Sequence, residues 1–350
     1  MNDKVKRLVR DLENGLASGR WEILGTNLPS ERELKKMYGV SRRTAHAALD
    51  DLEHRGLIYR VRRRGTFPVA TREGEKTVGV IVSGNYDSEI FRLICNNLKE
   101  CAERDGMRLL IADASHQDPR RRAAETLELA TKMLDDRIAG LIYHPIQFAS
   151  GGARVNRAVQ AFARERGKAF VVLDSALTRE DTRDYDLVCT DNFAAGFALA
   201  TEMKRRGCAQ VRFLTFEHYG ASIADRIRGV AAVYPEPRAI VWKCAPADER
   251  RLRLLINEGP KVDGIICHND VVAARLLLTL KALGVRDSTQ VMGFDGASYA
   301  ALVTPPLTTI RQPCEALAQL AYNQLKLRLR APDMPPRRIY LPPELVLRPW

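Results

Sequence analysis

From residue 78 onward, short apolar runs alternate with longer amphipathic stretches, and no other feature of the chain narrows its possible folds as much. Val78-Gly-Val-Ile-Val82, Arg108-Leu-Leu-Ile-Ala112, Gly140-Leu-Ile-Tyr143 and Ala169-Phe-Val-Val-Leu173 have the length and branched side chains of strands buried on both faces. Helical periodicity fills the intervals near 88–105, 118–137 and 153–167. The pattern then repeats, with strands near 187–190, 211–216, 239–243, 262–267 and 290–294 and helices near 192–207, 222–234, 247–258 and 270–284. Strands joined through a helix lie parallel, so the spacing predicts β-α-β units and two parallel sheets with helices on both faces. The doubling predicts two lobes.

The first 70 residues follow different rules. Val5, Leu8, Val9, Leu12 and Leu16 recur at the spacing of one helix face, and Gly15 and Gly19 mark its end. Ser30 and Glu33 form the Ser-x-x-Glu capping box of a second helix, which should stop near Gly39. Ser41 then caps a third helix with Ala45, Ala48, Leu49 and Leu52 on one face, running to Gly56. So short a connection, containing a glycine, forces the steep crossing of a helix-turn-helix. Leu57-Ile-Tyr-Arg-Val61 and Thr66-Phe-Pro-Val69 read as two strands around the basic tip Arg62-Arg63-Arg64-Gly65, a wing. A polar run without periodicity follows, so the division is 1–70 winged helix-turn-helix, 71–77 linker and 78–350 two-lobed domain.

Charge points to a partner for the front segment. The chain carries 55 basic and 43 acidic side chains, and a surplus of seven of those twelve positive charges falls within residues 1–72. That excess predicts a polyanion. The longest apolar runs, such as Ala194–Ala200, fall far short of the ~20 residues that cross a bilayer, so no membrane partner is expected. The opening residues Met1-Asn-Asp-Lys-Val-Lys-Arg7 carry no apolar signal core, which predicts a cytoplasmic protein. Seven cysteines without a Cys-x-x-Cys pair read as reduced, packed thiols. His144 and His268 lie near predicted cleft mouths, where a hydrogen-bonded role is expected of them, because no second His or Cys stands at ligand spacing; neither a metal nor a cofactor is expected.

Leu28-Pro-Ser-Glu-Arg-Glu-Leu34, Gly39-Val-Ser-Arg-Arg-Thr44, Leu49-Asp-Asp-Leu-Glu-His-Arg-Gly-Leu57 and Arg64-Gly-Thr-Phe67 occur in order and at the spacing of the winged helix-turn-helix of GntR-type transcription regulators, which residues 1–70 closely resemble. The physics of the third helix agrees, because its start offers hydroxyls, guanidinium groups and free backbone N–H groups to phosphates and base edges. The resemblance implies DNA contact by Arg32, by Ser41, Arg42, Arg43 and Thr44, and by the wing around Arg63 and Gly65. His46 stands where the family usually has Arg, and Arg63 where a wing glycine is common. The first departure implies altered major-groove specificity, the second an added charge toward phosphates or the minor groove.

Behind the linker, Asp191-Asn-x-x-Ala-Gly196, Arg226-Ile-Arg-Gly229, Cys267-His-Asn-Asp270, Val291-Met-Gly-Phe-Asp295 and Thr304-Pro-Pro-Leu-Thr-Thr-Ile-Arg-Gln-Pro313 resemble the LacI/GalR regulators, whose lobes are like those of periplasmic binding proteins. Asp174, Asn269 and Asp295 each follow a strand, where open α/β sheets bind ligands. By resemblance, Asp174, Arg226, Asn269 and Asp295 contact an effector, Phe91 packs against it, and Asp191 is a further candidate. Asp270 is expected to cap its helix, and Arg226 to keep the neighbouring carboxylates ionised. Two carboxylates, an amide and a guanidinium suit vicinal hydroxyls or a purine edge.

No dinucleotide fingerprint, phosphate loop, nucleophile elbow or zinc-protease motif is present, so an enzyme is not expected. The combination is similar in arrangement to bacterial arabinose-responsive repressors. It implies a homodimeric regulator, a repressor of sugar-utilisation genes, that binds a pseudo-palindromic double-stranded DNA operator and answers to a small effector, a sugar foremost. A sugar- or nucleoside-binding protein of transport type is the alternative.

Overall fold

The computed structural model of the chain describes residues 3–17, 28–54, 57–61, 65–68, 77–84, 88–114, 116, 118–135, 138–180, 183–235, 241–257 and 261–349. They form two compact units, Met1–Glu75 and Lys76–Trp350.

In the first unit, α1 (Asp3–Ala17), α2 (Glu31–Tyr38) and α3 (Arg42–His54) precede an antiparallel pair, β1 (Ile58–Val61) and β2 (Gly65–Pro68). The capping box forms, with the Ser30 backbone N–H donating to Glu33 at 2.7 Å and Glu33 N–H donating to Ser30 Oγ at 3.4 Å. Gly39, at φ 61°, stops α2 in the left-handed region that glycine enters without strain. Val5, Leu8, Val9 and Leu12 from α1 meet Leu34 from α2 and Ala45, Ala48, Leu49 and Leu52 from α3 in one core closed by Leu28 and Ile58. Leu28 also donates its N–H to Thr66 O at 2.7 Å, so the segment before α2 pairs with the wing. The wing tip, with Arg63, and the linker residues 71–76 lie outside the described residues.

The second unit is built on two parallel sheets. The larger contains β3 (Thr77–Val82), β4 (Arg108–Asp113), β5 (Gly140–His144), β6 (Ala169–Leu173), β7 (Asp186–Thr190) and β13 (Arg338–Leu341) in the order β13-β7-β6-β5-β3-β4. The smaller contains β8 (Val211–Thr215), β9 (Val241–Lys243), β10 (Gly264–Cys267) and β11 (Gln290–Met292) in the order β11-β10-β8-β9. On the larger sheet, α4 (Glu89–Arg104) and α11 (Cys314–Arg330) pack on one face. The other face is covered by α5 (Pro119–Asp135) and α6 (Gly152–Glu165). On the smaller sheet, α7 (Asn192–Arg205) and α8 (Ala221–Val233) cover one face, and α9 (Glu249–Asn257) and α10 (Asp270–Ala282) the other. Two short antiparallel strands, β12 (Thr309–Arg311) and β14 (Glu344–Val346), continue the second lobe from the end of β11.

The chain passes between lobes after β7, after β12 and after β13. These crossings are tied side by side: Thr190 Oγ1 donates to Gln312 Oε1 at 3.1 Å, and Asp191 N–H to Leu341 O at 2.8 Å. Three adjacent crossings make a hinge, and the carboxyl ends of both sheets face the cleft above it.

Candidate functional site

Ser41 precedes α3; its Oγ accepts from Thr44 N–H at 3.1 Å and lies 2.9 Å from Thr44 Oγ1. With the cap satisfied locally, Arg42 and Arg43 project as exposed side chains, and Arg32 is exposed on α2. Ser30, Glu31, Arg32, Lys35, Arg42 and Arg60 line an open groove of about 590 Å³. Gly65, at φ 123°, opens β2 at the foot of the wing. Glu31 receives two of the expected contact residues: Arg42 Nε at 3.0 Å and His46 Nδ1 at 2.7 Å. Hydrogen bonds from His46 and then Arg42 hold the Glu31 carboxyl below its ordinary range.

In the second unit, the cleft between the lobes holds a cavity of about 70 Å³. Ser88, Phe91, His144, Gln147 and Asp174 come from the first lobe, Ser222, Arg226, His268, Asn269 and Asp295 from the second, and Gln312 from the hinge. Sequence reasoning thus places Phe91, Asp174, Arg226, Asn269 and Asp295 at one cavity. Asp191 is not among its lining residues; it caps α7, accepting from Ala194 N–H at 2.9 Å. The expected cap at Asp270 also moves by one place. Asn269 caps α10 through Val272 N–H at 2.8 Å, while the buried Asp270 accepts from Thr309 Oγ1 at 2.7 Å and Ala297 N–H at 2.9 Å.

Arg226 is placed by the crossing of α7 and α8. A Cβ on Gly196 would lie 2.0 Å from Arg226 O, and one on Gly229 would lie 2.2 Å from Phe193 O. Only glycine at both positions lets the backbones approach so closely. The closeness brings Arg226 Nε to Asn192 Oδ1 at 2.8 Å and Nη1 to His268 O at 2.6 Å. The guanidinium carbon lies 3.2 Å from the centroid of Phe294, a cation–π contact. Burial pulls the Arg226 pKa down to about 10, against the pull of Asp295 and Asp174, and the group stays charged at neutral pH.

Asp295 does not behave as the sequence suggests. Burial, reinforced by Asp270, pushes the Asp295 carboxyl up to about 8, although Arg226 and a 3.0 Å hydrogen bond from Gln312 Nε2 oppose it. Arg226 therefore does not keep every neighbouring carboxylate ionised at neutral pH, because desolvation exceeds its attraction. Asp174 and Asp295 also hold left-handed backbones, at φ 72° and 125°, which non-glycine residues adopt at a cost and which gather at functional sites.

Sequence reasoning gives His144 a hydrogen-bonded role near the cleft mouth and leaves it out of the effector site, but the residue lines the cavity. It is 1% exposed, and neither ring nitrogen has a hydrogen-bond partner. Its Nε2 stands 3.4 Å from Asp174 Oδ2 without hydrogen-bond geometry, and Asp174 Oδ1 is likewise unpartnered. Phe91 leans on the His144 ring with centroids 4.2 Å apart. Its position after Tyr143, at the carboxyl end of β5, was the available signal. His268 instead sits among Phe148 and Phe216, and burial drives its pKa down to about 3, leaving it neutral.

The lobes touch across the cleft. Ser222 N–H donates to Ser175 Oγ at 3.1 Å, Arg179 to Tyr219 O at 2.8 Å, and Ser298 N–H and Oγ to Glu89, each at 3.0 Å. These contacts bridge the two lobes beside the cavity.

Comparison with known proteins fits both units. Residues 4–67 match the gntR family of bacterial regulatory proteins, and residues 194–349 match the periplasmic binding protein-like domain. The chain joins a gntR-type domain to a periplasmic-binding-protein-like domain. It is 26% identical to the arabinose metabolism transcriptional repressor of Geobacillus stearothermophilus, over 99% of this chain and 96% of that protein. The ribose operon repressor of Halalkalibacterium halodurans is 30% identical over 49% of this chain and 54% of its own length. Among solved structures, the regulator CelR in complex with cellobiose aligns with a TM-score of 0.67 at 16% identity, covering 91% of this chain and 99% of that one. A LacI family regulator of Enterococcus faecalis V583 with bound ribose gives 0.63 at 23% identity, over 78% and 97%. Among the described residues no helix is long and apolar enough to cross a membrane, and no group of three or more His, Cys, Asp or Glu could hold a metal ion.

Proposed function

We propose that the chain is a ligand-responsive transcription regulator, a repressor of sugar-utilisation genes, whose gntR-type domain binds operator DNA and whose cleft binds a small sugar. The observation that carries the ligand is the set of buried, unpartnered polar atoms on His144 and Asp174 at the cavity that Arg226 also lines. Polar groups buried without partners cost free energy, and a polyhydroxy ligand supplies both donors and acceptors to them. Asp174, Arg226, Asn269 and Asp295 are the contact residues of this reading, with Phe91 as its apolar wall and His144 added. Similar proteins named for arabinose metabolism and the ribose operon, and similar folds solved with cellobiose and ribose, support the same ligand class. A transport-type binding protein would have no use for the gntR-type segment at 4–67.

The contacts to DNA fall to Arg32, Ser41, Arg42, Arg43, Thr44 and His46, with Arg63 and Gly65 at the wing. Two copies as a homodimer would read a pseudo-palindrome. The ligand alters operator affinity only if it binds the DNA-bound and free forms unequally. The chemistry is binding, with no turnover of the ligand.

A gel-shift titration on the chain's own upstream region, repeated with a panel of pentoses, hexoses and nucleosides, tests the whole reading. One sugar should change the midpoint by about tenfold or more, within the usual range of allosteric coupling. A nucleoside acting where no sugar does would overturn the ligand class, and no retarded complex at low salt would overturn the regulator.

A further inference from the structure

The reading surface carries an acidic side chain where a polyanion is expected to dock. Glu31, in the first turn of α2, turns its two carboxylate oxygens on two different reading residues. Oε2 accepts from Arg42 Nε at 3.0 Å, and Oε1 lies 2.7 Å from His46 Nδ1. The far side of His46 meets a second carboxylate, with Nε2 3.1 Å from Asp50 Oδ2. Asp50 and Glu53 in turn bind Arg60 on β1, Asp50 Oδ1 at 2.5 Å and Glu53 Oε2 at 3.2 Å. An unbroken chain of polar side-chain contacts thus runs from α2 across α3 to β1. Arg42 remains 84% exposed and His46 53% exposed, so both are available to DNA while tethered.

We propose that Glu31 is a positioning residue for sequence discrimination, an inference that rests on the DNA-binding reading above. By neutralising Arg42 and fixing the His46 ring, Glu31 keeps these side chains from settling on any passing phosphate. Phosphate contact carries affinity without sequence information, and base-edge contact carries the information. A guanidinium that leaves a carboxylate gives up an exposed ion pair at every DNA site alike, and the two hydrogen bonds of a bidentate match to a guanine edge offset that loss where one loose contact offsets less. Specificity gains here because the wrong complexes are weakened more than the right one.

The test uses the full chain, wild type and Glu31→Gln, in selection from a random duplex library followed by affinity measurement on the enriched sequence and on a mixed-sequence duplex. Glu31→Gln should bind the mixed duplex about twofold to fivefold more tightly, the scale of one exposed ion pair, and lose a similar factor in specificity ratio. With Arg42 released to phosphate, the log–log salt slope should steepen by about one. An unchanged ratio and slope in a variant with wild-type melting temperature overturns the inference. Should Glu31→Gln fail to fold, Glu31→Asp, one methylene too short to reach both partners, carries the same expectation. A wild-type chain that enriches no sequence overturns the underlying reading and this inference with it, whereas enrichment by wild type and variant alike, at equal ratio, overturns only the role of Glu31.

Discussion

At the residue scale, the cleft concentrates groups whose environments conflict with their chemistry. His144 keeps two unpartnered nitrogens at 1% exposure, a cost the free protein bears. Replacing it by Phe removes those orphaned atoms while filling most of the space. Stability of the ligand-free protein should then hold or rise, while sugar affinity falls by about tenfold to a hundredfold, the penalty for an unmet polar partner. Calorimetry with the active sugar and a thermal melt of the same variant read the two effects separately; retained affinity would remove His144 from the site. Asp295 gives a pH signature. An unfolded Asp titrates near ~3.9, whereas the folded group titrates at about 8. Between these values the folded chain holds a proton that the unfolded chain has released, so the contribution is whole below the lower value and declines as pH rises through the upper one. Asp270, raised to about 6 mainly by burial, adds to the decline over the lower part of the window. Asp295→Asn should therefore lose less melting temperature than wild type from about pH 5 to about pH 9, and parallel curves would contradict the assignment.

At the element scale, the pairing of α7 with α8 decides whether Arg226 faces the cleft. Gly196→Ala would drive a methyl group into Arg226 O, where 2.0 Å separates them, and the helices would have to part. Overpacking of this kind costs about 1–3 kcal/mol. The expected outcome is a lower melting temperature together with weaker sugar binding, since Arg226 loses its register with Asn192 and the His268 carbonyl. An equally destabilised variant elsewhere in the lobe, such as Leu280→Ala in the core on the α10 face, should keep its ligand affinity. If both variants bind alike, the helix crossing does not position the guanidinium.

At the scale of the whole molecule, the contacts between lobes set how much of the binding free energy goes into closure. Glu89 and Ser298 meet through three hydrogen bonds and line no part of the cavity. Glu89→Gln should shift the lobes toward the open arrangement and weaken sugar binding several-fold through a slower closure step or a faster release. Stopped-flow binding separates this from a cleft defect, and an unaltered dissociation rate with unaltered affinity would count against a latch. The division of the chain at Glu75 and Lys76 carries its own expectation. Residues 76–350 contain complete cores for both lobes, so this piece alone should fold cooperatively and bind sugar with the affinity of the full chain. Loss of binding in the isolated piece would show that the first unit contributes to the site.

Periodicity, caps and glycines are local, and they wrote most of the elements into the sequence: the capping box at Ser30 and Glu33, the stop at Gly39, and the alternation from β3 to β11 all appear where spacing puts them. Strand-end positions pointed to Asp174, Asn269 and Asp295, and family resemblance to Phe91 and Arg226, all of which line one cavity. Tertiary structure decided the rest, because the remaining facts depend on partners far away in the chain. The strand β13 is recognisable only beside β7, some 150 residues earlier, to which it pairs in parallel. Asp191 and Asn269 satisfy helix ends, and the task expected of Asp270 passes to a neighbour because Thr309 and Ala297 reach its carboxylate first. Above all, residue types alone give the sign of the Arg226–Asp295 attraction, but only the depth of burial and the nearby Asp270 show that desolvation outweighs it.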